Sequence, residues 1–252
     1  MLAVFAIGFC VFVWWFGTGL LLWAQHRRQA RAVLTATTGV AMVSILGLVW
    51  TAEDTGPWGA YLAFCSAIGV WAWHELLFLK GWLTGPRRGP CPADATGWRR
   101  FRYGLEVVLH HELALAATVL LLVLANWGAP NQVGVATFVV LWVMRLSAKL
   151  NVFLGVRNLA VDFIPDELDY LPSYFRRSPL NPLMPWSLLF GSLALSWFTG
   201  RAVTTTGFES LGATLVGALL GLALLEHLFL TLPVPDAWLW RWLIRRPKQV
   251  EV

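Results

Sequence analysis

The chain alternates long apolar runs with short polar segments. Each run has close to the 20 residues that an α-helix needs to cross the hydrocarbon core of a bilayer. The pattern predicts an all-α, polytopic integral membrane protein, a bundle of about seven transmembrane helices that forms a single domain over residues 1–252. The predicted spans are residues 2–23, 32–50, 58–79, 103–126, 133–156, 183–199 and 208–230, and residues 157–182 form an interfacial segment between the fifth and sixth.

Basic residues are distributed unequally between the two sides of the predicted bundle. Of the 19 Lys and Arg residues, 16 lie in segments on one side, Arg201 alone lies on the other, and Arg145 and Lys149 lie within a span. Cytoplasmic loops of membrane proteins are enriched in Lys and Arg. The distribution therefore predicts a periplasmic N-terminus and a cytoplasmic C-terminus.

Composition agrees with a membrane protein. Hydrophobic residues make up 58% of the chain and charged residues 13%, against about 25% charged residues in soluble domains.

The net charge of +5 does not indicate nucleic-acid binding, because the basic residues occupy short loops and form no single patch. Cys10, Cys65 and Cys91 are scattered, so we expect no disulfide framework. No motif of soluble-enzyme chemistry occurs, such as GxSxG, a Walker loop, GxGxxG or CxxCH.

Ionisable and polar residues occur inside four of the spans, all near the predicted cytoplasmic end. Leaving the most expensive types facing lipid would cost roughly 2.5–3.5 kcal/mol each. We therefore expect them to converge in one cluster, with Glu106 and His110, which share a helix face, at its core and His111 or Glu112 at its edge. The predicted cluster consists of His74, Glu75, Glu106, His110, His111, Glu112, Arg145, Lys149, Asn151, Glu226 and His227.

The sequence leaves three interpretations of this cluster open. The first is an interhelical network in which Arg145 and Lys149 neutralise carboxylates of the third, fourth and seventh helices. The second is a divalent metal site, because four carboxylates against two cations leave a deficit of two positive charges, although the Glu-x-x-His spacing of di-iron bundles is absent. The third is a tetrapyrrole site, for bacteriochlorophyll or haem, with His110, His111 or His227 as the axial ligand. The candidate metal ligands are Glu75, Glu106, His110, Glu226 and His227.

Residues 157–182 mix acidic with aromatic side chains, a composition suited to the membrane surface. Such a segment either rests on lipid headgroups or docks a partner. Four acids facing an anionic leaflet are unfavourable, which favours a protein partner. The predicted partner-binding residues are Asp166, Glu167, Asp169, Arg176 and Arg177.

Four strings of the sequence carry a resemblance to a known family. They are WHELLFLKGWLTGPRRGPCP (73–92), WRRFRYGLEVVLHHELAL (98–115), RLSAKLNVFLGVRNLAVDFIPDELDYLPSYFRRSPLNPLMP (145–185) and LEHLFLTLPVPDAWLWRW (225–242). These strings resemble the PuhE family, the photosynthetic complex assembly proteins 2 of anoxygenic phototrophic bacteria, and the resemblance covers nearly the whole chain. It implies a place in the bacterial inner (photosynthetic) membrane and reaction-centre or light-harvesting subunits as partners.

Two classes of function follow. The resemblance implies an assembly factor for the reaction-centre and light-harvesting complex, or a protein that balances bacteriochlorophyll supply to it, and it carries over no catalytic residue. The alternative is a membrane metalloenzyme or tetrapyrrole-binding protein of bacteriochlorophyll metabolism, which would use the His and Glu cluster. We favour the assembly factor, which needs a partner surface, and leave open whether the protein is an enzyme.

Overall fold

The computed structural model describes residues 2–159, 161 and 164–232. Within them the chain forms seven α-helices and two single turns of 3-10 helix, at Asp166–Leu168 and Leu171–Tyr174. The same residues contain no β-strand, only an isolated bridge between Val156 and Arg177, so the all-α fold class is confirmed. The helices are α1 Leu2–Gln25, α2 Ala30–Thr51, α3 Pro57–Leu79, α4 Gly97–Ala125, α5 Val133–Leu154, α6 Met184–Thr204 and α7 Gly207–Thr231.

Six of these helices, all except α6, are long and apolar enough to cross a membrane. α6 has 21 residues, a length of about 31 Å, and it packs along α7. Its serine and threonine residues lower its hydropathy. Ser196 and Thr199 nevertheless donate to carbonyl oxygens one turn earlier, at 2.9 and 2.8 Å, which is how such side chains are tolerated in apolar surroundings. A multi-pass membrane protein is therefore confirmed, and the seventh span stays a prediction.

α3 and α7 lie at the centre of the bundle. α3 packs on α1, α2, α5 and α7, and α7 also packs on α1, α5 and α6. In the most apolar 18-residue stretch of α3, 56% of the residues are buried. The corresponding share is 11% in α1 and 11% in α2. α2 approaches α3 closely through small residues, since a Cβ on Gly47 would overlap Ser66 and a Cβ on Gly69 would overlap Ser44. The outer helices α1 and α2 leave most of their apolar side chains exposed, as expected of a surface that faces hydrocarbon.

Polar contacts show which helix ends lie together. Lys80, just after α3, donates its ammonium group to the carbonyl oxygen of Gln25 at the end of α1. At the opposite end, Asn131 before α5 donates to the carbonyl oxygen of Thr51 at 2.9 Å. Asn158 after α5 donates to a carbonyl oxygen in the last turn of α7 at 2.7 Å. The loops at residues 26–29, 80–96 and 155–183 therefore share one end of the bundle, which we call the basic end.

The helix that contains the predicted fourth span begins six residues before that span. α4 begins at Gly97, so Arg99, Arg100 and Arg102 lie on its first turns and not in the preceding loop. Arginine is a good helix former, and its charge misleads an assignment based on hydropathy alone. Two sequence predictions lie outside the described residues: the placement of Asp162, and the cytoplasmic tail with Arg241, Arg245, Arg246 and Lys248.

The orientation of the bundle is a prediction that reporter fusions can test. We expect a topology reporter fused after Arg31, near Pro90 or after Val252 to report the cytoplasm. A fusion at Thr55 or Asn131 should report the periplasm. The physical basis is the strong excess of Lys and Arg on one side. A periplasmic signal from the Pro90 fusion would contradict this orientation.

Candidate functional site

Two ion pairs join α5 to its neighbours near the basic end. The Lys149 ammonium lies 2.8 Å from the Glu112 carboxylate of α4, and these side chains are only 17% and 12% exposed. The Arg145 guanidinium lies 3.3 Å from Glu226 of α7, and both of these side chains are partly exposed. Because Arg145 and Lys149 are four residues apart on one helix, α5 reaches two different neighbours from the same face.

A third pair, between α3 and α4, is more deeply buried. His111 Nε2 lies 3.9 Å from Glu75 Oε1, too far for a hydrogen bond, and His111 is fully enclosed. Its ring packs against Phe78, with the ring centroids 4.8 Å apart. Among the described residues, neither nitrogen of the His111 ring has a hydrogen-bond partner, and neither has Glu75 Oε1. Glu75 also lies within electrostatic range of Arg145, so all three pairs belong to one layer of charges, which we call the charge layer.

His74 and His227 make hydrogen bonds with neighbouring polar groups. His74 Nε2 lies 3.0 Å from the Thr118 hydroxyl, which itself donates to the carbonyl oxygen of Ala114, so Nε2 is the donor. His227 Nδ1 lies 2.8 Å from the carbonyl oxygen of Ala223. A carbonyl oxygen only accepts, so Nδ1 carries the proton and Nε2 accepts from the Ser147 hydroxyl at 3.0 Å. Both ring nitrogens of His227 are therefore occupied.

Asn151 connects α5 to α6 at the edge of the charge layer. It is fully buried, and its side-chain amide donates to the carbonyl oxygen of Ser147 at 2.9 Å and to the Ser187 hydroxyl at 3.0 Å. The hydroxyls of Ser147 and Ser187 lie 2.8 Å apart. His227, Ser147, Ser187 and Asn151 thus form one chain of hydrogen bonds that runs from α7 through α5 to α6.

The expectation that Glu106 and His110 form the core of the cluster is wrong. Arg87 Nε lies 3.0 Å from one carboxylate oxygen of Glu106, and Arg102 Nε lies 3.3 Å from the other. His110 is exposed on the surface of α4. The loop after α3 folds back along α4, where the His111 N–H donates to the carbonyl oxygen of Thr84 at 2.8 Å. α4 buries the face with Val107, Val108, His111 and Leu115 and leaves His110 exposed, so His111 and Glu112 take the central positions.

The five candidate metal ligands do not meet. Glu226 binds Arg145, Glu106 binds two arginines, His110 is exposed, and both nitrogens of His227 are occupied. In the part of the chain that the structure describes, no three His, Cys, Asp or Glu side chains are grouped to hold a metal ion. With Glu106 neutralised elsewhere, the charge deficit of the layer falls from two to one, which a divalent ion would overcompensate. The residues present therefore do not fit a metal centre.

The interfacial segment is packed onto the basic end and does not lie loosely on the membrane. Leu168, Leu171 and Tyr174 are buried against α4 and the ends of α3 and α5. The Tyr174 hydroxyl donates to the carbonyl oxygen of Gly89 at 2.5 Å, and burial raises the pKa of this hydroxyl. The Cys91 N–H donates to the Ser173 hydroxyl at 2.8 Å. The predicted partner-binding residues all remain exposed on the outer side of this packed segment: Asp166, Glu167, Asp169, Arg176 and Arg177.

Sequence reasoning missed a set of residues that cap helix ends. Buried Lys80 neutralises the carbonyl end of α1 and lies 3.7 Å from Glu167 of the interfacial segment. Asn181 accepts from the N–H groups of Leu183 and Met184, at 2.9 and 3.1 Å, where α6 begins. An Asn just before an apolar run is a helix-start signal, so Asn181 was identifiable from the sequence. Lys80 was not, because its partner lies 55 positions earlier in the chain.

The fold and the charge layer define a polytopic helical membrane protein whose buried charges are paired between helices. The chain belongs to the family described as "Protein of unknown function (DUF3623)", which it matches over residues 1–251. It is similar to an "Uncharacterized 30.4 kDa protein in puhA 5'region" from Rhodobacter capsulatus, with 37% identity over 241 residues, which is 93% of this chain and 88% of the relative. No solved structure matches the chain.

Proposed function

We propose that this protein is an assembly factor for the photosynthetic reaction-centre and light-harvesting complex in the bacterial inner membrane. Two observations support the proposal. The relative from Rhodobacter capsulatus is described by its position in the puhA 5' region. The strings at residues 73–92, 98–115 and 145–185 resemble the PuhE family, whose members are photosynthetic complex assembly proteins. The partners are reaction-centre or light-harvesting subunits, and the factor would help to match bacteriochlorophyll supply to them.

The proposed docking surface is inferred from three acidic side chains that are exposed on a packed segment. Asp166, Glu167 and Asp169 lie on and beside a turn whose Leu168 is buried in the bundle. We call these three residues the acidic surface. Because the turn is already packed, a partner would not have to order it on binding, which lowers the cost of association. Charges held in this way steer and orient an oppositely charged partner.

The acidic surface favours a basic protein over lipid. It lies at the end of the bundle that carries the basic loops, which is the predicted cytoplasmic side. The cytoplasmic leaflet carries a negative surface potential and would repel carboxylates. Arg100 donates to the carbonyl oxygens of Ser173 and Phe175, which fixes the segment from beneath. We therefore propose a basic patch on a cytoplasmic surface of a photosynthetic subunit as the partner.

A second candidate function is tetrapyrrole binding, and one observation favours it. His110 is exposed on α4 beside Leu109 and Leu113, which are also exposed. An outward-facing imidazole among apolar side chains could ligate the central metal of a pigment from the lipid side. His111 and His227 are poorer candidates, because the first is fully enclosed and both ring nitrogens of the second are occupied.

The proposal is tested by neutralising the acidic surface in the native host. We expect Asp166→Asn, Glu167→Gln and Asp169→Asn together to weaken association with the photosynthetic complex about tenfold, or about 1.4 kcal/mol. The level of assembled complex should fall while this protein accumulates normally. Association is measured by co-purification, and assembly by the near-infrared absorption of membranes.

The matched control neutralises two acids that lie away from the basic end, Glu53→Gln with Glu209→Gln, and should leave the complex unchanged. Unchanged complex levels in the acidic-surface variant would refute the docking role. A tetrapyrrole absorption band on the purified protein that His110→Leu removes would instead support the second candidate.

A further inference from the structure

A pocket of about 500 Å³ opens at the basic end, between the loop after α3 and α4. It is lined by Pro86, Arg87, Arg88, Gly89, Pro90 and Glu106. We infer that this pocket binds the phosphate group of an anionic phospholipid headgroup. The inference is independent of the proposed docking surface, because it uses none of the three acids on the interfacial segment.

The charges around the pocket leave an excess of two positive charges. Both carboxylate oxygens of Glu106 are taken, one by Arg87 and one by Arg102. Arg88 is exposed at the rim and has no ion-pair partner among the residues that the structure describes. Three arginines against one carboxylate make the pocket attractive to an anion. A phosphate group suits it because guanidinium groups bind phosphate oxygens in pairs.

The pocket is held in shape before any ligand arrives. The guanidinium of Arg87 lies 3.8 Å from the centre of the Tyr103 ring, in cation–π geometry. The bond from Tyr174 to the carbonyl oxygen of Gly89 anchors the far side of the loop. Arg87 is thus fixed by Glu106 on one side and by Tyr103 on the other, so little side-chain freedom remains to be lost on binding.

The position of the pocket along α4 indicates a lipid as the source of the phosphate. Trp82 and Trp98, which flank the pocket loop in sequence, are both exposed, as expected of indole rings at headgroup depth. Beyond Glu106, the exposed surface of α4 carries the apolar side chains of Leu109, Leu113 and Leu120. A headgroup bound between Arg87 and Arg88 would therefore leave its acyl chains level with the apolar surface of α4.

The test uses the full-length protein purified in a neutral detergent and the variant Arg88→Gln. We expect phosphatidylglycerol to raise the thermal unfolding midpoint of the wild-type protein, and phosphatidylcholine to have little effect. In Arg88→Gln the apparent affinity for phosphatidylglycerol should fall about tenfold, as expected when one phosphate contact is lost. Arg88 has an exposed side chain outside the helices, so this variant should fold normally. The matched control is Arg28→Gln, an exposed arginine at the same end but outside the pocket, which should retain wild-type affinity.

Inorganic phosphate and glycerol 3-phosphate distinguish the two sources of the phosphate group. Stabilisation by phosphatidylglycerol but not by these soluble anions supports a lipid headgroup. Stabilisation by the soluble anions at similar concentrations, again lost in Arg88→Gln, supports the phosphate site but with a soluble ligand. Equal loss of phosphatidylglycerol affinity in Arg88→Gln and Arg28→Gln would overturn the site, because it would show only general attraction between a basic protein and an anionic lipid.

Discussion

Replacing Lys149 by Met is expected to destabilise the protein by about 3–5 kcal/mol, the range seen when one partner of a buried ion pair is removed. The substitution keeps the side-chain volume and removes the charge. Glu112 would then remain inside the bundle, with the Trp142 indole N–H, 3.2 Å away, as its hydrogen-bond donor. Thermal unfolding of the purified protein in mild detergent measures the loss as a lower midpoint.

The double variant Glu112→Gln with Lys149→Met is the matched control. Removing both charges leaves no unpaired charge, so most of the stability should return. Arg201→Gln, which breaks an exposed pair with Glu209 at 2.8 Å, should cost less than about 1 kcal/mol. If the double variant were as unstable as Lys149→Met, the pairing of Glu112 with Lys149 would not be what stabilises this region.

The double variant also tests whether the charge layer only stabilises the fold or takes part in function as well. Under the proposed function, a layer that only holds the helices together predicts that a stable double variant supports assembly of the photosynthetic complex as well as the wild type. If the layer takes part in function, assembly should fall although the protein remains folded. The comparison is informative because the acidic surface lies outside the membrane-spanning helices and is unchanged in this variant.

The depth of the polar residues could be predicted from the sequence, but their direction around each helix could not. Hydropathy and loop charge are sums over many residues, so they place Glu75, Glu112 and Glu226 near one end without any knowledge of packing. Which face of α4 turns inward depends on its packing against α5, α3 and the interfacial segment, where Gly104, Val107, Val108, His111 and Leu115 are buried. The spacing of Glu106 and His110 shows that they share a helix face but not which neighbours that face meets, so the expectation put them in the core and His111 at the edge.

The interfacial segment shows the same limit. Its mixture of acids and aromatic residues predicts a surface location, and the acids are indeed exposed. The aromatic side chain of Tyr174, by contrast, is buried and bonded to Gly89, which is 85 positions away in the chain. The sequence therefore predicts that the segment is amphipathic, and only the structure shows that its apolar side is covered by this chain.

Replacing Gly85 by Ala tests the packing of the loop on α4. A Cβ at this position would overlap the carbonyl oxygen of Glu106 and would lie 2.7 Å from the carbonyl carbon and oxygen of Val107. These are backbone atoms of a helix, which cannot rotate away as a side chain can, so the loop itself must move. We expect a loss of about 1–3 kcal/mol from overpacking, toward the upper end because the bond from His111 to Thr84 would be stretched as well.

Gly89→Ala in the same loop is the matched control. A Cβ on Gly89 would meet no atom within 4 Å, and its backbone is not in the left-handed region that favours glycine. Alanine there should be neutral, or stabilising by up to about 1 kcal/mol through reduced freedom of the unfolded chain. Thermal unfolding in detergent compares the two variants directly, and phosphatidylglycerol binding gives a second readout, since movement of the loop at Gly85 would also displace Arg87 and Arg88. Equal unfolding midpoints for Gly85→Ala and Gly89→Ala would show that the loop does not press against α4.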